Sequence, residues 1–579
     1  MIEGGLRLIG YGNSPRFYRV ESLEDGSRIY RENQQFAFPY FEKSVMRKPQ
    51  PFTLSYAKPK TEYRIFLLGS SAAMGDPEAS FSISRALELM LNEAYGEMDF
   101  KVVNAAMTAI NSHVVRRIAQ DCAKLQPDLF IVYEGNNEVI GPFGPTGVLT
   151  PFLGSERAID ATIRLRSSRT GQLISDLAAL GGDDEKPEGW GGMQMFLQQR
   201  IARDDPRLDD VEHLFVSNLK HIIRSGESRG IPTLLCTVLT NQRDFAPFQS
   251  DHKSGLTDTQ LKEWERCVEE GDQKLLEGSL DEAEKDYRKA WGIDDAYAAL
   301  AYKLGRLYLQ KNDDAQAEKF LRLALDLDTL RFRTDSRLNN AIRHEAVTGE
   351  SSCSLVDLEQ VFAAASPHKI LGDEWLYEHV HLNFYTNYQI AGVLFEMVSD
   401  ELLKLKKVHQ KHPQSLDYET VVKMLGYTLY EQGLIANELL NRFEKPPFIA
   451  QIDHAARLSA WQERVKKIDL ALSDTDIRKK IIQDYEVAID LHPSDWILRR
   501  NFGMALLSFG LAEKAVLPLE TALGTIDDDP DTLFSMGVAY ASCGRTADAQ
   551  RVFEQLQVLE PRYPGLTEWL GKLDGKAAH

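Results

Sequence analysis

The chain has 579 residues, 43% hydrophobic and 26% charged, with a formal net charge of −19 at pH 7. That length exceeds a single core and implies about two to four domains. The acidic balance excludes a nucleic-acid backbone as partner and disfavours docking on an anionic membrane face, since both need a cationic surface.

The five cysteines are scattered and form no CxxC pair, so they read as core thiols, not as a metal or disulfide framework. No cofactor is implied. No apolar run reaches the ~18 residues of a membrane span. The opening "MIEGGLRLIGYG" is neither a signal peptide nor a span.

In chain order, residues 1–60 are aromatic and polar without clear periodicity, and "YAKPKTE" reads as a linker. Short runs rich in Val, Ile, Leu and Phe follow at 63–69, 100–106, 128–135 and 233–239, with a last strand expected over 354–362. Such runs suit a parallel sheet buried on both faces. Helices are expected between them at 80–95, 111–125 and 209–228, and 387–405 reads as a closing helix. The alternation implies a doubly wound α/β domain. Residues 154–208 are an excursion in which "GGDDEKPEGWGGM" is loop-like. "MQMFLQQRIA" there either covers a cleft or packs on the surface, and packing is the preferred reading.

Two segments between the fourth and last strands share a repeat. Gly271, Ala283, Tyr287 and Ala290 are matched at the same offsets by Gly305, Ala317, Leu321 and Ala324. The pattern returns as Gly503, Ala515, Leu519 and Ala522, then as Gly537, Ala549, Phe553 and Leu556. Small residues let the helices of a hairpin approach, and large ones fill the groove. This is the tetratricopeptide pattern, whose period is about 34 residues, and it implies a protein or peptide partner. The expected organisation is a lead segment at 1–60, an α/β domain at 61–257 and 331–405, inserted helices at 258–330, and an all-α solenoid at 406–579. The acidic run Asp527–Asp529 reads as a solvated turn, not a calcium loop.

In a doubly wound sheet, sites form at the carboxyl ends of strands. There the chain places Gly69-Ser70-Ser71, Asn104-Ala105-Ala106 and Gly135-Asn136-Asn137-Glu138, and later "LYEHVHLN" with Glu378 three residues before His381. A serine nucleophile needs a base, an orienter for the base, and oxyanion donors. Ser71 would attack, His381 would accept its proton, and Glu378 would fix the imidazole tautomer. The N–H groups of Ser71 and Ala106 and the amide of Asn137 would hold the oxyanion. The alternatives are a plain strand-to-helix turn at Ser71 and a metal site at His379 and His381 with Glu378. Gly135, Asn136, Arg243 and Asp244 are candidate substrate contacts, and Arg243, Asp244 and His252 could equally only pair among themselves.

These four blocks resemble the SGNH, or GDSL-like, hydrolases, which carry a Gly-x-Ser nucleophile turn, a second-block glycine, Gly-x-Asn and Asp-x-x-His. Here Ser70 stands where aspartate is usual, Ala106 replaces the glycine, and Glu378 replaces the aspartate. The Gly-x-Ser spacing points to Ser71 in preference to Ser70. More closely, "NQRDFAPFQSDH" and "YEHVHLNF" are similar to bacterial SGNH-type proteins fused to tetratricopeptide repeats. The resemblance implies a flavodoxin-like sheet. It also implies ester hydrolysis or acyl transfer on an acylated glycan or other ester-bearing small molecule. It further implies an extracytoplasmic location with a membrane contact only through an anchor preceding this chain; a cytoplasmic location is the alternative. A competing expectation is a worn-out esterase serving as an interaction platform.

Overall fold

The computed structural model describes residues 2–147, 150, 152–179, 191–348, 352–410 and 415–577. The chain divides into two compact units. The first is Met1–Ser415 with Asn441–Ser459, and the second is Leu416–Leu440 with Ala460–His579.

The first unit begins with an element that the sequence reading did not anticipate. Strands β1 (Tyr18–Ser22), β2 (Arg28–Glu32) and β3 (Thr53–Ser55) form an antiparallel sheet in that order. Three to five residues per strand are too few to show alternation, so aromatic contacts carry the pattern. Phe17 meets Phe36 edge-on, while Tyr30 stacks on Tyr56.

A five-stranded parallel sheet follows, built from β4 (Glu62–Gly69), β5 (Asp99–Asn104), β6 (Leu129–Tyr133), β7 (Thr233–Cys236) and β8 (Cys353–Val356). Its order is β5-β4-β6-β7-β8. Every residue of β4 is buried, even Arg64, which donates to Glu62 and to the carbonyls of Leu125 and Ser55. The helices fall into two groups. Ile83–Ala94 packs with Phe384–Lys404, whereas Ser112–Cys122 and Ser336–Thr348 both pack on Arg207–Glu227. A parallel sheet carries such helices on its two faces.

The last strand is shorter than the expected 354–362. Asp357 ends it by accepting the Gln360 N–H, which starts the helix Leu358–Ala365. Side-chain capping of this kind outweighs the apolar run's strand preference. The 154–208 excursion folds as helices Glu156–Ser167 and Arg169–Ala179; most of "GGDDEKPEGWGGM" lies outside the described residues. In "MQMFLQQRIA", Phe196 is buried edge-on against Phe332, and the Ile201 N–H donates to the Thr329 carbonyl, so this stretch packs.

Between β7 and β8 lie two helical hairpins, Asp258–Leu276 with Leu280–Ile293 and Ala298–Gln310 with Asp314–Leu327. A capping box of Thr257 and Gln260 opens the first. The repeat glycines work by close approach. A Cβ on Gly271 would sit 2.5 Å from the Tyr287 ring, and one on Gly305 would sit 2.6 Å from Leu321.

The second unit repeats this packing. Trp496–Ser508 pairs with Ala512–Leu523, and Pro530–Ser542 with Thr546–Leu559. A Cβ on Gly503 or Gly537 would strike Leu519 or Phe553. Asp529 is not a solvated turn residue: it is buried and caps Pro530–Ser542 by accepting the Thr532 N–H at 2.9 Å. Residues 441–459, which the sequence places with the C-terminal part, belong to the first unit.

Candidate active site

The strand order reverses at β4, so the crevice beyond the carboxyl ends of β4 and β6 is the expected site. Gly69, the last residue of β4, pairs with Tyr133 of β6. A Cβ at Gly69 would lie 2.1 Å from the Tyr133 carbonyl oxygen and 2.6 Å from the Ala73 Cβ. Only glycine lets the chain turn there into the short helix Ser71–Met74. That helix stops at Gly75, which is left-handed at φ 97°. The turn folds back so that the Asp76 N–H donates to the Ser71 carbonyl at 3.1 Å.

The loop Glu378–His381 reaches this turn from far along the chain. Its frame is a bridge between Leu376 and Leu382 and a hydrogen bond from the Tyr377 N–H to the His381 carbonyl. Asn241, just after β7, donates its N–H to the His379 carbonyl at 3.0 Å. Asn383 then caps the helix Phe384–Lys404.

Ser71, His381 and Glu378 come together. His381 Nε2 is 2.9 Å from Ser71 Oγ, and His381 Nδ1 contacts Glu378 Oε1. Glu378 is 1% exposed, and its oxygens also accept the His379 N–H at 2.6 Å and the His381 N–H at 2.9 Å. Its second oxygen contacts His379 Nδ1. One buried carboxylate thus lies between two imidazoles. Burial lowers His381 to about 4, with Asp76 opposing the shift and Arg442 adding to it. Burial likewise drives His379 well below its usual range. Both rings are therefore neutral at pH 7. Glu378, His379 and His381 present ligand atoms within 4.8 Å of one another, so these three are also the residues that could hold a metal.

Of the candidate oxyanion donors, Ala106 lies along the end of β4. Its neighbours donate to β4, Ala105 N–H to the Leu67 carbonyl and Met107 N–H to that of Gly69. Among the described residues, the Ala106 N–H has only the Asn104 side-chain oxygen, at 3.3 Å. The Ser71 N–H opens a helix and has no carbonyl one turn earlier within it. The Asn137 amide donates to the Ile110 carbonyl at 2.9 Å, which uses one of its two hydrogens.

The substrate-contact candidates have structural partners. Asn136 accepts from the Thr334 hydroxyl at 2.7 Å and its N–H at 3.2 Å, across the face where Gly135 leaves no side chain. Arg243 and Asp244 pair with each other, but not exclusively. Arg243 pairs with Asp244 at 2.7 Å and with Glu374, and Arg306 of the inserted hairpins joins Asp244 at 2.8 Å. His252 binds Asp294 at 2.7 Å between the Trp264 and Tyr297 rings.

Two residues at the site escape sequence reasoning. Asp76 Oδ2 stands 3.2 Å from His381 Nε2, and Arg442 pairs with Asp76 through both terminal guanidinium nitrogens. Burial opposes ionisation of Asp76, but Arg442 foremost and then His381 hold it down to about 2. Nothing in the spacing points the Asp76 carboxylate back at the imidazole. Arg442 carries no local signal. Beneath the turn lies a buried acidic pair, Glu134 and Glu138. Glu138 accepts from the Ser112 N–H and hydroxyl at 2.8 and 2.6 Å. Burial raises Glu138 to about 7 and drives Glu134 well above the usual carboxylate range, with Glu138 adding to the latter.

The family model described as "Tetratricopeptide repeat" matches residues 274–331. The inserted hairpins are tetratricopeptide repeats. The repeat-containing solved structures with some likeness include MamA (residues 41 to the end) from Desulfovibrio magneticus RS-1, 13% identical over 32% of this chain and 84% of that one, at a TM-score of 0.18. The TPR2AB domain of yeast Sti1 in complex with pHSP90 is 12% identical over 55% of this chain and 99% of that one, at 0.16. YrrB, a TPR protein with an unusual peptide-binding site, is 13% identical over 54% and 97%, at 0.15. Scores this low carry no argument, and the 274–331 match alone bears on the repeats. No curated protein gives a significant match to the chain. Among the described residues, no helix is long and apolar enough to cross a membrane.

Proposed function

We propose that the first unit is a serine hydrolase of the SGNH type, acting on an ester by hydrolysis or by acyl transfer to a sugar-like hydroxyl. The observation that carries this reading is the single line from Glu378 through His381 to Ser71 Oγ, with Nε2 at 2.9 Å. A neutral imidazole whose Nδ1–H is held by Glu378 offers its Nε2 lone pair to the serine hydroxyl. In the proposed step, Ser71 Oγ bonds to the ester carbonyl carbon and its proton moves to Nε2. The tetrahedral oxyanion takes hydrogen bonds from Ser71 N–H, Ala106 N–H and Asn137 Nδ2. Its collapse breaks the carbon–oxygen bond to the leaving alkoxide, which takes the proton from Nε2. Water or an acceptor hydroxyl then repeats the sequence on the acyl-enzyme. Asp76 adds a second acceptor for the Nε2 proton, with Arg442 balancing its charge.

An extracytoplasmic location and an acylated glycan as substrate belong to this proposal through the resemblance. The tetratricopeptide repeats support a second role, binding of a protein or peptide partner. Measuring acetate release against acetyl transfer to a sugar acceptor separates hydrolysis from transfer. Absence of both, with peptide binding retained, leaves the platform reading.

A further inference from the structure

A cavity of about 360 Å³ opens away from the catalytic candidates, lined by Arg7, Ser14, Pro15, Arg16, Ser167 and Arg169. Three guanidinium groups and two hydroxyls around one cavity form an anion-binding lining, in a chain whose net charge is −19. Arg7 is balanced by Glu3 at 2.9 Å. Among the described residues, no carboxylate pairs with Arg16 or Arg169, and Arg169 Nη1 is buried without an acceptor. Gly12, at φ 79°, brings the backbone against that nitrogen; a Cβ there would lie 3.1 Å from it. Two uncompensated guanidinium groups therefore converge on a space of small-ligand size.

The elements around the cavity decide the source of the anion. The helices Ile2–Leu8 and Arg169–Ala179 pack together. Glu3 accepts from the Thr170 N–H and hydroxyl, and Tyr11 donates to Asp176. Exposed on and beside these helices, among polar residues such as Arg7, Ser175 and Asp176, are several large apolar side chains. Leu8 is 89% exposed, Ile9 75% and Ile2 66%, with Ile174 and Leu177 at 58% each. Exposed large apolar side chains on two adjacent helices beside a cationic cavity match an interface whose interior is hydrocarbon and whose rim is phosphate.

We infer that this face docks on a bilayer, with the Arg16 and Arg169 cavity receiving the phosphate of an anionic phospholipid and the two helices resting at the headgroup boundary. The net charge disfavoured this partner, but binding reads the local field within about one Debye length (~8 Å), not the molecular sum. The inference is independent of the serine chemistry.

The test is co-sedimentation of the full chain with phosphatidylcholine vesicles, with and without phosphatidylglycerol. Binding is expected only with phosphatidylglycerol and weakens as salt is added. Arg16→Ala with Arg169→Ala together weaken it about tenfold or more. Ile174→Ser with Leu177→Ser, which alter only exposed positions, weaken it independently. No binding to phosphatidylglycerol vesicles, or binding that both double variants leave unchanged, overturns the inference. Saturable binding of inorganic phosphate, lost with the two arginines but accompanied by no vesicle binding, also overturns it by assigning the cavity to a soluble ligand.

Discussion

His381 Nε2 faces two oxygens, Ser71 Oγ at 2.9 Å and Asp76 Oδ2 at 3.2 Å, and this shared contact sets the expected pH behaviour. Asp76 raises the His381 pKa and Arg442 lowers it, against burial that brings the ring to about 4. Activity should therefore fall only as pH drops toward about 4, where the imidazole gains a proton and ceases to be a base. Asp76→Asn removes the opposing charge, so the acid limb of the pH–rate profile moves lower. Arg442→Gln removes a lowering charge, so the limb moves higher. Shifts of the same sign in both variants would contradict this electrostatic account. The Glu134 and Glu138 pair acts on stability instead. Both carboxyls are raised above their unfolded values, so the folded state holds more protons above pH ~4.5. Stability from this pair is present below that pH and is lost as pH rises through about 7, the folded value of Glu138. Thermal melts of Glu134→Gln should show a weaker decline between those limits than the parent.

Elements bear the repeat code through packing. Gly271 admits the Tyr287 ring at 2.5 Å from where a Cβ would be, whereas Gly292 in the adjacent helix has nothing within 4 Å. Gly271→Ala should cost about 1–3 kcal/mol by overpacking. Gly292→Ala should be neutral or stabilise by about 0.5–1 kcal/mol, because alanine is the better helix former. Equal melting shifts in the two variants would show that the glycine is not a packing residue. This code was readable because the spacing of Gly, Ala and a large residue is local to one hairpin. The parallel strands were readable for a similar reason, as buried strands are continuous apolar runs. The sheet of β1, β2 and β3 was not, because its order rests on contacts such as Phe17 with Phe36, which no local period announces. The end of β8 was missed where the Asp357 cap overrode an apolar run.

Across the whole molecule, Ser71 at a strand end and Glu378 and His381 in the loop after the last strand were legible as candidates, whereas the site's outer contacts were not. Those come from residues 441–459. Arg442 pairs with Asp76, Phe448 packs against Phe245 and His379, and the Gln451 amide and Arg457 guanidinium donate to the carbonyls of Ala246 and Asp244. A fragment ending at residue 405, where the sequence closes the sheet domain, should therefore melt below the full chain and lose activity; an equally active fragment would show these contacts to be dispensable. The account as a whole depends on Ser71 being a nucleophile. Treating the full chain with a fluorophosphonate probe and mapping the adduct by mass spectrometry tests that most directly. The account predicts a single adduct on Ser71, absent in Ser71→Ala and reduced about a thousandfold or more in rate in His381→Ala. A folded, unlabelled parent protein, or an adduct that persists in Ser71→Ala, would contradict it.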